Sequence, residues 1–375
     1  MNIPLKNIQK YCLDHNITFA SYVSPGSGNP VSIFSPNSKV EIFKSISEVN
    51  CSSGFLMSPF QSENCPVIVI QDTQKITGWE IDPKIYSEIT GYAESKARKI
   101  SQQQKESTFS EYASQIEKLK KNLLKEEEKK VVLSRIKEFD AIETDHLPEL
   151  FEELTISYPH AFVYLVSSPE TGIWMGASPE TLIQINQSDF STMALAATKE
   201  FSGHMEQTKW NDKEVKEHEY VANFIRHRLS KENYTFTESK RETVRAGNVV
   251  HLMTLFNGRL KNKSAEWKSL VSLLYPTPAI FGTGDEATLK MIQEVEKHKR
   301  EYYAGIIGPF KKNGETNLFI NLRCMKVLGK SALLFAGGGI LNESSALNEW
   351  EETELKFDTL IQVILKARGK VKKTG

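Results

Sequence analysis

Apolar positions change period several times along the chain, and each change predicts an element. From residue 1 to about 100, short apolar runs alternate with turn clusters such as Ser24-Pro25-Gly26-Ser27-Gly28 and Ser35-Pro36-Asn37-Ser38. Within this third, Val67-Ile68-Val69-Ile70 reads as a buried strand. The polar stretch Lys96 to Ser107 reads as a boundary or exposed connector. Thr108 with Glu111 three residues on then fits a capping box, and Phe109, Tyr112, Ile116, Leu119 and Leu123 recur at helical spacing. Lys130-Val131-Val132-Leu133-Ser134-Arg135 follows as a strand on its β-branched content. Ala161 to Val166 and Ile173 to Ala177 read as two more strands. A helix is expected from Asp212 to Arg228, with Val215, Tyr220, Val221 and Phe224 on one side. Lys330 to Ala336 reads as a strand and Asn348 to Lys366 as the closing helix. Strands and helices interspersed in this way predict one α+β or α/β body.

Composition narrows the classes. A chain of 375 residues can hold one large domain or two smaller ones. Lys+Arg 47 against Asp+Glu 47 leaves a formal net charge of zero, so no global field favours nucleic acid or an anionic membrane. No apolar run approaches the roughly 18 residues that span a bilayer, and the N-terminus carries no signal-peptide apolar segment. Cys12, Cys51, Cys65 and Cys324 are too few and too scattered for a disulfide framework. Reduced cysteines in a cytoplasmic protein are expected.

Several residues could carry chemistry, each beside a plainer reading. Glu214 and Glu217 sit three apart and share a helix face, and Glu349 and Glu352 repeat that spacing. Carboxylates across a cleft suit magnesium, a hard ion that takes oxygen ligands; two solvated helix faces explain the same spacing. Gly337-Gly338-Gly339 reads as a turn in which positive φ brings backbone N–H groups to an anion, or as a plain tight turn. Arg323, at the end of an apolar strand pattern, needs a carboxylate partner from the protein or from a substrate. Lys356 follows Glu352 by one helical turn and is placed for an i, i+4 ion pair. Glu180, at a strand-to-loop junction, is a general acid if burial raises its pKa, or a capping glutamate. His251 sits among apolar residues and reads first as a core histidine. Lys130 is a general base if buried, or surface charge at the end of a basic run.

Taken in order, these segments resemble the chorismate-utilising enzymes, and isochorismate synthase most closely. The resemblance runs from about residue 108 to 366. It rests on Lys130 to Arg135, Ala177-Ser178-Pro179-Glu180, Lys216-Glu217-His218, Pro276-Thr277-Pro278-Ala279, Arg300 to Gly305, Arg323, the glycine run and Glu349 to Lys356. It implies a large two-sheet antiparallel β-sandwich with helices packed outside, with residues 1–105 as scaffold of the same body and 106–368 as the catalytic region. It implies magnesium on Glu217 and Glu352, with Glu214 and Glu349 holding metal-bound waters. Arg323 and Tyr303 would hold the pyruvyl carboxylate, beside Gly337, Gly339 and Lys356. Ala197, Thr198 and Ala279 would also contact substrate, and His251 would lie near the ring and leaving group. Where the family usually has Gly-Thr, this chain has Ala197-Thr198.

The implied activity is that of an isomerase. Water adds at ring C2 with Lys130 as base, and the C4 hydroxyl leaves with Glu180 as acid. The product would feed menaquinone or a siderophore. Relatives that use ammonia generally lack the lysine. Salicylate synthase, which also eliminates pyruvate, and a non-catalytic chorismate-binding protein are the alternatives. The expected partner is chorismate, with no nucleic acid, no membrane and a monomeric chain.

Overall fold

The computed structural model describes residues 2–35, 40–61, 65–92, 104–123, 130–140, 142–201, 203–246, 249–260, 266–283, 286–312 and 314–374. The expected turn at Pro36-Asn37-Ser38 and the connector from Lys96 to Gln103 lie outside them.

Strand Phe162–Ser168 shows how the chain builds its layers. All of its residues are buried, so both of its faces need cover. Phe162, Tyr164 and Val166 point into one core, while Val163 and Leu165 point into another. This is the two-residue alternation of a strand covered on both sides. The first core lies between two large antiparallel sheets. The second lies between one sheet and a layer of helices.

The eight-stranded sheet runs in space Gln74–Thr77, Val31–Ser35, Thr18–Val23, Phe162–Ser168, Gly172–Ser178, Cys324–Val327, Ser331–Ile340, Val131–Asp140. The ten-stranded sheet includes Val249–Arg259, Asp189–Glu200, Thr181–Asn186, Thr316–Ile320, Ile306–Lys311 and Ser53–Ser58 as consecutive neighbours. Strands from the first hundred residues thus join both sheets beside strands from the rest of the chain. Helices Leu5–Asp14, Leu147–Ser157 and Ala346–Thr374 cover the outer face of the eight-stranded sheet through Leu5, Ile8, Phe151, Leu154, Phe357 and Leu360.

Helix Phe109–Leu123 starts as expected. The Thr108 amide donates to Glu111 at 3.2 Å, and the Glu111 amide donates back to Thr108 Oγ1 at 3.2 Å. Tyr112, Ile116, Leu119 and Leu123 are buried. Phe109 departs from the stripe, being 44% exposed with its ring edge against Trp350. Helix Asp212–Lys231 buries His218, Val221, Ala222, Ile225 and Leu229, so its inner face is rotated from the expected one and Tyr220 faces outward. His218, outside the expected apolar set, belongs to the buried stripe and shifts it.

The larger correction concerns Gly337-Gly338-Gly339. These residues form no turn. They lie inside strand Ser331–Ile340, where Gly337, Gly338 and Gly339 pair with Ser134, Leu133 and Val132. None of the three has positive φ. A Cβ at these positions would crowd Tyr303 Oη, Glu349 Oε2 and Lys130 Cε in turn.

Strand Val131–Asp140 is the last in its sheet, yet its outer edge is not bare. Thr283 N donates to Lys130 O, Arg300 to Val132 O, and Ser107 N to Ile136 O. The Ser134 amide donates to Glu296 at 2.7 Å, and the Ile136 amide donates to Ser107 Oγ. Side chains and loop backbone take the place of a missing neighbour strand. The Arg300–Glu296 pair that serves this edge is itself buried, at 2.6 Å. Burial opposes the charge on Arg300, but the Glu296 carboxylate outweighs it and raises the guanidinium pKa.

Candidate active site

The residues singled out by sequence come together at one end of the sandwich. A cavity of about 290 Å³ is lined by Lys130, Glu180, Ala197, Thr198, Glu214, Glu217, His251, Ala279, Tyr303, Arg323, Gly337, Gly339, Glu352 and Lys356. Glu349 lies behind the wall. It is buried, and its Oε1 accepts from Ser344 Oγ at 2.8 Å.

Lys130 enters at the head of strand Val131–Asp140, with its backbone clasped by the loop after Tyr275. Thr283 N donates to Lys130 O at 2.9 Å. A Cβ on Gly282, whose φ is +103°, would sit 2.0 Å from that carbonyl, so only glycine permits the approach. The buried Lys130 side chain donates to Glu217 Oε1 at 2.7 Å. It crosses over Gly339, where a Cβ would fall 2.2 Å from Lys130 Cε. The third glycine is therefore the floor of the lysine's channel.

Glu180 follows strand Gly172–Ser178 and is 4% exposed. Burial pushes its carboxyl up to about 7; Thr277 Oγ1, donating to Oε1 at 3.1 Å, and the charge of Lys130 pull less strongly the other way. A carboxyl in this state carries a proton near neutrality and can give it away.

His251 lines the cavity from strand Val249–Arg259. Its Nδ1 donates to the Ala197 carbonyl at 2.9 Å, which leaves Nε2 as the acceptor, buried without a partner among the described residues. Burial, then Arg323, lowers its pKa to about 4, so the ring is neutral. The Ala197 carbonyl is aimed by a break in pairing between Ala196 and Thr198, at which Ala197 takes φ +61°.

Arg323, Tyr303 and Lys356 line one side of the cavity. Arg323 has φ +47°, and its guanidinium makes no hydrogen bond or ion pair among the described residues. Lys356 Nζ donates to Gly337 O at 2.6 Å and to Glu352 Oε1 at 2.6 Å. Burial would raise the Glu352 carboxyl, but Lys356, Lys130 and Arg323 together bring it below the ordinary range.

A family profile described as chorismate binding enzyme matches residues 70–365, more than half of the 375-residue chain. The chain belongs to that family. This chorismate binding enzyme is 28% identical over 242 residues to isochorismate synthase EntC of Escherichia coli K12, a match covering 62% of this chain and 62% of that one. It therefore aligns with less than two thirds of that relative's length. The fold is that of a putative 2,3-dihydroxybenzoate-specific isochorismate synthase, DhbC, from Bacillus anthracis, with TM-score 0.76 at 20% identity over 96% of this chain and 99% of that one. It matches the menaquinone-specific isochorismate synthase MenF from Escherichia coli equally well, with TM-score 0.76 at 17% identity over 97% and 93%.

The acidic residues of this chorismate binding enzyme each have a protein partner. Lys130 holds Glu217 and Lys356 holds Glu352, while Glu214 accepts from Lys199 Nζ at 2.9 Å and from the Asn211 amide at 2.8 Å. Among the described residues, no group of three or more His, Cys, Asp or Glu side chains is gathered closely enough to hold a metal ion. The donors nevertheless fit a hard divalent cation, being all carboxylate oxygen on two helices that flank one cavity. Two ammonium groups already sit against them, so positive charge is what these carboxylates call for. Burial and the neighbouring Glu352 both raise the Glu349 carboxyl, a repulsion that a cation would relieve.

Reading the sequence missed Asn211 and Lys213, which also line the cavity. Asn211 caps helix Asp212–Lys231 in a full capping box with Glu214. The Asn-x-x-Glu spacing was the signal for it. It also missed Thr277 as the donor to Glu180 and Ser344 as the donor to Glu349.

Proposed function

We propose that this protein is an isochorismate synthase, converting chorismate to isochorismate by adding water at C2 and expelling the C4 hydroxyl. One observation carries the reading: a buried lysine and a buried, near-neutral-pKa glutamate share a cavity with an arginine that has no partner among the described residues. Water is a poor nucleophile and hydroxide a poor leaving group, so the reaction needs both a base and an acid. Lys130, released from Glu217 and in its neutral amine form, takes the proton from the attacking water. Glu180 gives its proton to the departing hydroxyl, which leaves as water. Arg323 and Tyr303 hold the pyruvyl carboxylate. His251 Nε2 accepts a hydrogen bond from a substrate hydroxyl near the leaving group. Ala197, Thr198 and Ala279 shape the wall against the ring.

Glu217 and Glu352 are the residues that would hold magnesium, with Glu214 and Glu349 behind them. Bound there, the ion would neutralise the ring carboxylate of the substrate. Residues 1–105 serve as scaffold to the catalytic region 106–368, supported by the way their strands are shared between both sheets.

The test is to incubate purified protein with chorismate and magnesium and to separate the products. Isochorismate as the main product supports the reading. Salicylate with pyruvate replaces it by salicylate synthase, and unchanged chorismate removes the enzymatic reading altogether.

A further inference from the structure

Three of the non-glycine residues with left-handed backbone lie close together around the arginine side of the cavity. They are Glu301 at φ +49°, Ala304 at +59° and Arg323 at +47°. Such conformations persist only where the surroundings over-determine them. Here one residue that lies outside the cavity lining, Asn321, ties the segment through both its backbone and its side chain. Asn321 is 1% exposed and uses every polar group it has. Its amide donates to Gly305 O at 2.8 Å, and its carbonyl accepts from Ala304 N at 2.9 Å. Its Nδ2 donates to Tyr302 O at 2.9 Å, and its Oδ1 accepts from Tyr164 Oη at 2.6 Å. The segment carrying Tyr303 is thereby tied to the segment carrying Arg323, with the knot anchored to the centre of the eight-stranded sheet.

We propose that Asn321 is a positioning residue, holding Tyr303 and the unpaired Arg323 in one fixed arrangement for a carboxylate of the ligand. The residue type is dictated by the site. Aspartate cannot donate to Tyr302 O, leucine can neither donate nor accept, and a buried carbonyl left without its donor is costly. Tyr164, deeply buried, keeps its proton and remains the donor to Oδ1.

The kinetic arm of the test rests on the chorismate reading. The variants are Asn321→Ala and the milder Tyr164→Phe, each assayed with chorismate and magnesium and each melted thermally. A carboxylate anchor remote from the reacting carbons contributes equally to ground and transition states, so its loss moves KM and leaves kcat. Asn321→Ala is expected to raise KM about tenfold or more, the scale of one charge-assisted hydrogen bond, with kcat within about threefold. Tyr164→Phe is expected to raise KM about threefold in the same pattern, and it carries the test should Asn321→Ala fail to fold. KM within about twofold of wild type in a folded Asn321→Ala, or a fall in kcat at constant KM, overturns the proposal.

Crystal structures of the variants separate this claim from the activity. If wild-type protein leaves chorismate unchanged, the function falls, and the knot is judged on geometry alone. Arg323 leaving the left-handed region in the variant supports the positioning role. Arg323 unmoved overturns it.

Discussion

Adding a single methyl group at Gly339 tests the base without touching it. A Cβ there would lie 2.2 Å from Lys130 Cε and 2.9 Å from Nζ, well inside contact distance. The backbone is extended and has no positive φ, so alanine fits it. What must move is the far end of a flexible lysine. Alanine in place of a strand glycine returns about 0.5–1 kcal/mol. Losing the partly exposed Lys130–Glu217 pair costs on the order of 1 kcal/mol or less. The two nearly cancel, and Tm should stay within a few degrees of wild type. Catalysis should not survive as well. A displaced general base forfeits about 100-fold or more in kcat, roughly 2.7 kcal/mol of barrier. Product separation after incubation with chorismate and magnesium measures the first quantity, and a thermal melt the second. Gly339→Ala within about threefold of wild-type kcat refutes the lysine-channel argument.

Glu180 must be protonated to act, so activity should decline by about tenfold per pH unit above its pKa of about 7. A kcat profile flat from pH 6 to 9 rules it out as the acid. Ala197→Gly removes a left-handed alanine worth about 1–2 kcal/mol and returns about 0.5–1 kcal/mol of chain entropy, so calorimetry should show a modestly higher Tm. A lower Tm would mean that the methyl group contributes packing that outweighs the strain. Glu296→Ala leaves Arg300 buried without its counterion and should cost about 3–5 kcal/mol in urea unfolding. A loss under about 1 kcal/mol would show that the edge of strand Val131–Asp140 does not depend on the pair.

Local pattern in the sequence revealed five of the strands and three of the helices. Phe162–Ser168, Val67–Gln71 and helix Phe109–Leu123 follow from period and capping alone. The cavity was legible only through the order of its scattered pieces, because Lys130 and Gly339 meet through strand pairing and not through nearness in sequence. That is also why the glycine run misled. Three adjacent glycines read locally as a turn, whereas the demand for them comes from Lys130, Tyr303 and Glu349, which arrive from elsewhere in the chain. The rotated face of helix Asp212–Lys231 failed for a related reason. The expected face was drawn from apolar residues alone, whereas tertiary contacts also bury His218. Asn321 offered no signal of its own, since in sequence it lies inside the apolar pattern that ends at Arg323.

A long border strand such as Val131–Asp140 would ordinarily offer its free amides and carbonyls to any passing chain. In this protein the groups from Lys130 to Ile136 are already taken by Thr283, Glu296, Arg300 and Ser107. The opposite border, Gln74–Thr77, is only 4 residues long. A foreign strand docking along the half of the border that adjoins the lysine would have to displace these bonds first. Self-association through that border would first require the guanidinium of Arg300 to be pulled from its carbonyls, a barrier against misassembly located beside the chemistry.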